Sequence, residues 1–106
     1  MPDEGIIITE LAGKRAVARA VTPADREALA RLGFLSQDGQ LSRAVPTEES
    51  RIALIRALID IGALFSDGQD WCPAELVAHY REAGHIHQPF RVISWNSPSN
   101  FRIREA

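Results

Sequence analysis

The sequence predicts an α+β domain in which three helices gather around a central apolar helix at about 47–62, with short terminal β-strands and a C-terminal β-hairpin. Three observations carry this expectation. TEESRIALIRALIDIG, residues 47–62, reads as one helix whose apolar residues cover roughly half its circumference, wider than a one-sided stripe. Thr22-Pro23 and Cys72-Pro73 each place a cap residue before a proline, the signature of a helix start. Runs near both ends of the chain carry the β-branched content or the period-two alternation of strands.

Taken in order, residues 5–11 begin with Ile6, Ile7 and Ile8, which favour a buried strand. Ala12-Gly13-Lys14 turns the chain, and Arg15, Val17, Arg19 and Val21 then alternate with three alanines. A hairpin is the first expectation there, although the alanines suit a helix equally. Thr22 caps the next helix, Pro23 takes its first position, and Asp25 completes an arrangement like a capping box. That helix runs to Leu32 and stops at Gly33. Residues 34–43, FLSQDGQLSR, hold Asp38-Gly39 between half-apolar arms, a hairpin signal.

In the central helix Thr47 is the N-cap, and Glu48 and Glu49 put negative charge where the helix dipole favours it. Gly62 is placed to close the far end in a left-handed conformation. Ile52, Leu54, Ile55, Leu58, Ile59 and Ile61 leave only a narrow polar strip of Glu49, Arg56 and Asp60. Such a helix is expected to be covered from more than one side.

The third helix begins at Cys72-Pro73, with Trp71 and Leu76 spaced as a hydrophobic staple, and ends at Gly84. Leu76, Val77 and Tyr80 supply its apolar face. Residues 90–95 and 101–104 then read as two strands around the turn-forming Asn96-Ser97-Pro98-Ser99-Asn100. Residues 28–40 and 57–69 align without gaps at seven of thirteen identities, either a reused helix–turn unit or two instances of a common helix exit.

Composition narrows function by exclusion. At 106 residues with 45% hydrophobic content, the chain can bury a core as one domain. A net charge of −2 argues against general nucleic-acid or membrane binding. One cysteine permits no internal disulfide, and the acidic start has no signal-peptide character, so a soluble, cytoplasmic protein is expected. No apolar run approaches the ~20 residues of a membrane helix. Eleven of the twelve basic residues are arginine, the side chain suited to planar contact with carboxylates and phosphates.

Chemistry-bearing residues are sparse. Cys72 at a helix start has the setting that lowers a thiol pKa, but His79 lies two turns away and no nucleophile motif surrounds the sulfur. His85 and His87, with His79 or Cys72, could meet at a metal, yet they match no recognised ligand spacing. Asp60, Asp67, Asp70 and Glu75 form an acidic stretch, ordinary for a solvated loop between helices. No phosphate-binding loop or paired catalytic carboxylates appear, so neither a cofactor nor a metal is assigned.

The best functional hint is Arg91, Trp95, Arg102 and Arg104, three guanidinium groups and an indole expected on one face of the C-terminal hairpin. Arginine and tryptophan are enriched at protein hot spots. Pairing of the amino-terminal strands beside this hairpin would extend the patch with Lys14, Arg15 and Arg19. The first expectation is therefore a non-enzymatic protein-binding module: an adaptor, inhibitor or regulatory subunit that meets a protein partner through this hairpin face or through the acidic loop at 66–70. The helix–hairpin order at the C-terminal end resembles the last part of a winged helix, which makes a nucleic-acid-binding regulator the alternative. Its flaw is the balanced charge of Glu75, His79, Arg81 and Glu82 on the helix that would read DNA. A small metal- or thiol-dependent enzyme ranks third. The oligomeric state and the identity of the partner stay open.

Overall fold

A computed structural model describes residues 5–11, 14–20, 22–37, 40–67, 73–97 and 100–105, with the side chains of 37, 95–97, 100 and 101 outside the description. The elements are β1 (Ile6–Glu10), β2 (Arg15–Ala20), α1 (Pro23–Arg31), β3 (Leu35–Gln37), β4 (Gln40–Ala44), α2 (Glu48–Asp60), β5 (Leu64–Asp67), α3 (Pro73–Glu82), β6 (Arg91–Ser97) and β7 (Asn100–Glu105). All the strands join one mixed sheet in the order β3-β4-β2-β1-β5-β6-β7. Three antiparallel hairpins, β1–β2, β3–β4 and β6–β7, supply the local pairings. Two parallel contacts, β1–β5 and β5–β6, weld them together, and β2 pairs antiparallel with β4.

This sheet corrects the expected architecture. The molecule is not three helices around a central one: helix and strand content are similar, and a seven-stranded sheet forms a layer of its own against the helices. Ile6, Ile8, Ala16, Ala18, Leu41, Phe65 and Val92 form the main core with Leu29 of α1, Leu54, Ile55 and Leu58 of α2, and Leu76, Val77 and Tyr80 of α3. The alternate strand residues Ile7, Leu64 and Ile93 form a separate small cluster without helical members. All three helices therefore pack on one face of the sheet. Helix α2 is covered from that side alone: Ala53, Arg56 and Asp60 are exposed, Ile52 and Ile59 half-buried, and Ile61 is 39% exposed. Its broad apolar stripe overstated its burial because the three-isoleucine run of β1, not α2, sits at the centre.

The winged-helix resemblance falls with the same finding. Helix α3 buries Pro73, Ala74, Leu76, Val77 and Tyr80 and lies against β5 and β1, a layer on a sheet rather than a projecting reading helix.

Local chemistry at the helix ends follows the expected rules. Thr22 Oγ1 accepts from the Asp25 amide at 3.2 Å, and Pro23 opens α1. Thr47 and Ser50 form a reciprocal capping box on α2. At the other end the three helices leave alike. The amides of Phe34, Ala63 and His85 donate back to the carbonyls of Leu29, Leu58 and Tyr80, and those of Gly33, Gly62 and Gly84 to Ala30, Ile59 and Arg81. This is the Schellman pattern, with the glycine at positive φ in each case.

The same pattern bears on the similarity of 28–40 and 57–69. Helix α3, outside the aligned segments, exits identically, while β3 is an antiparallel edge strand and β5 a central parallel one. The likeness belongs to the helix exit. Their shared Asp-Gly pairs lie at least partly outside the described residues, as do Ala12, Gly13, Val21, Trp71 and Cys72.

Candidate functional site

Because the helices cover one face, the other carries the second set of every strand's alternating side chains. One row across it runs Arg19, Ile7, Leu64, Arg91, Glu105, each residue directly opposite the next on the neighbouring strand. Ile93 lies opposite Ile103, and Leu35 opposite Ser42, itself opposite Val17. The floor of Ile7, Leu64, Ile93 and Val17 is buried. Around it Arg15, Arg19 and Arg91 are exposed, with Leu35 at one margin (74% exposed) and Ile103 at the other (37%). Arg19 and Arg91 are three strand spacings apart, about 14 Å, and Arg15 lies about 13 Å along the strand from Arg19.

These guanidinium groups differ from those on the helix side, which are mostly engaged. Arg26 donates to the Ala20 carbonyl at 3.1 Å, Arg31 pairs with Glu27 at 3.0 Å, and Arg81 lies 5.9 Å from the Phe90 ring centre. Arg56 donates to the His85 carbonyl through Nε at 3.1 Å and Nη2 at 2.6 Å. Arg15, Arg19 and Arg91 enter no ion pair among the described residues.

The hairpin does not gather the four residues expected to bind a partner. Arg104 lies opposite Val92 and Arg102 opposite Ser94, on the helix-side face, whereas Arg91 lies opposite Glu105 on the helix-free face. Trp95 pairs with Phe101 in the ladder, and its side chain lies outside the described residues. The cause is a one-residue bulge between Trp95 and Ser97. Continued unbroken, the Ser97–Asn100 register would set Trp95 opposite Arg102 and Ile93 opposite Arg104, the shared face that the sequence suggested. One extra residue reverses the faces.

Arg104 has a partner that sequence reasoning missed. Its Nη2 lies 3.0 Å from Asp67 Oδ2, which also accepts from Ser94 Oγ at 3.2 Å. In place of the acidic loop expected at 66–70, Ser66 and Asp67 end β5, and residues 68–70 lie outside the description. Only the sheet order brings Asp67 to the hairpin, so no sequence signal announced it. Between α3 and the hairpin a shallow cleft of about 130 Å³ is lined by Ala74, Ala78, Val92 and Arg104, among others. The amino-terminal strands do not adjoin the hairpin as the extended patch assumed, since β5 stands between β1 and β6.

Two of the three histidines meet an aromatic neighbour. His79 and His85 flank the Tyr80 ring, with centroids 5.7 and 6.1 Å away. Among the described residues no three His, Cys, Asp or Glu side chains group as metal ligands, and Cys72 lies outside them. Among the same residues, no helix is long and apolar enough to cross a membrane. Comparisons with protein-family models, curated proteins and solved structures returned no match, which leaves the geometry of the surface to carry the functional reading.

Proposed function

We propose that this chain is a non-enzymatic protein-binding module whose docking surface is the helix-free face of the sheet. One observation supports the reading: Arg15, Arg19 and Arg91, exposed and without an ion pair among the described residues, share that face with exposed Leu35 and Ile103. Arginine beside apolar side chains is the composition of protein hot spots. Glu105 directly opposite Arg91 places a carboxylate within the patch. That mixture, with a chain charge of −2, suits a protein surface bearing carboxylates better than a run of phosphates.

The test is capture of partners from host lysate by the purified chain and by an Arg15→Glu/Arg19→Glu/Arg91→Glu variant checked for folding by circular dichroism. Reversing charges that sit opposite partner carboxylates should lower recovery of a specific protein by about tenfold or more. Equal recovery by both chains would remove the assigned surface. Recovery abolished by nuclease in the wild type would replace the protein partner with a nucleic acid.

A further inference from the structure

The two ends of the sheet are unequal. Strand β3 is three residues long, too short to template another strand well, whereas β7 has six. Strand β7 stands last in the sheet order, so roughly three backbone N–H and three C=O groups along its outer edge have no strand beside them among the described residues. Helix α3 packs over β5 and β1, and the helix-side face of β7 carries exposed Arg102 and Arg104. Arg104 shares its guanidinium with Asp67, while Arg102 enters no ion pair among the described residues. Between them Ile103 is exposed on the opposite face.

We propose that the outer edge of β7 receives an extended acidic segment of a partner protein as an eighth strand. The inference rests on the binding-module reading but uses a different surface. A second copy of this chain is the occupant that the edge rejects. In the two registers that overlap five residues of β7, antiparallel pairing of two β7 strands about a twofold axis perpendicular to the sheet places Arg102 against Arg102 or Arg102 against Arg104. Like charges directly opposite one another destabilise a sheet. A strand carrying acid, apolar and acid residues in succession reverses both terms. Its carboxylates lie opposite Arg102 and Arg104 on one face, and its apolar residue meets Ile103 on the other. The main-chain ladder supplies affinity and the alternate side chains supply selection, as in other cases of β-augmentation.

The experiment titrates the full chain with fluorescent seven-residue peptides of alternating glutamate and valine, with alternating lysine and valine, and with the acidic sequence N-methylated at alternate amides. Backbone amide exchange across 100–105 is followed by NMR. The acidic peptide should bind and slow exchange along the outer edge of β7, and N-methylation on the pairing edge should abolish both effects. The lysine peptide should not bind. Arg102→Glu, which spares the Asp67–Arg104 pair, should weaken binding about tenfold. No binding, binding without protection of β7, or binding unchanged in Arg102→Glu would each overturn the inference, leaving the arginines as guards of a closed edge. The Arg15→Glu/Arg19→Glu/Arg91→Glu variant separates the two readings. If it loses the lysate partner while the acidic peptide fails on wild type, the sheet face stands and the edge falls. If it binds the peptide like wild type and keeps the lysate partner, the edge stands and the face falls.

Discussion

Gly62 shows how much one backbone angle contributes. Its φ is +78° and nothing lies within 4 Å of where a Cβ would stand, so a substitution there meets conformational strain without a steric clash. Gly62→Ala should destabilise the fold by about 1 kcal/mol in urea unfolding, the usual cost of an L-residue in the left-handed region. Gly62→Asn should cost less, because asparagine tolerates that region. Asp67 offers a different residue-scale test. Its pairing with Arg104 is half-exposed and screened, so a double-mutant cycle on Asp67→Ala and Arg104→Ala should give a coupling below about 1 kcal/mol. A larger coupling would mean that the pair holds β5 to the hairpin more firmly than its exposure implies.

At the scale of the element, α2 separates one-sided from two-sided burial. Leu58 is fully buried beneath it, whereas Ile61 at its exit is 39% exposed. Leu58→Ala should cost about 2–5 kcal/mol by chemical denaturation, and Ile61→Ala well under 1 kcal/mol. A helix enclosed on all sides would make the two losses similar. The β6–β7 hairpin gives the companion case. Deleting Asn96 would remove the bulge residue and let the ladder run unbroken from Ser97–Asn100 into Trp95–Phe101, leaving Arg102 and Arg104 opposite Ser94 and Val92. Cross-strand NMR contacts should then still place Ile93 directly against Ile103. Loss of that contact would show that the bulge holds the register of the hairpin beyond its own site.

For the whole molecule, the functional argument is one of asymmetry. Helices cover one face of the sheet and carry most of the engaged arginines themselves, and the other face presents three arginines and two apolar margins with no helix over them among the described residues. Binding carried by Arg15, Arg19 and Arg91 should weaken as salt rises from low to moderate concentration, because exposed charges are screened over about 10 Å at 0.1 M. Titration of the captured partner at two ionic strengths measures this directly. Salt-independent affinity would assign the contact to Leu35 and Ile103 instead.

By itself the sequence determined the local pieces: where each helix starts and stops, the capping by Thr22 and Thr47, the glycine exits, and two of the three hairpins, β1–β2 staying open because its alanines suit a helix equally. These depend on residues a few positions apart, so local chemistry suffices to specify them. Tertiary structure alone decided the rest. That Ile7 would meet Leu64, that Asp67 would reach Ser94 and Arg104, and that α2 would cover one side of a sheet all depend on strand order. Alternation states which residues share a strand face but not which face the helices take. The candidate site was legible as residue types, arginines on a hairpin, and illegible as a surface, because one extra residue between Trp95 and Ser97 reverses the side of the sheet on which Arg102 and Arg104 stand.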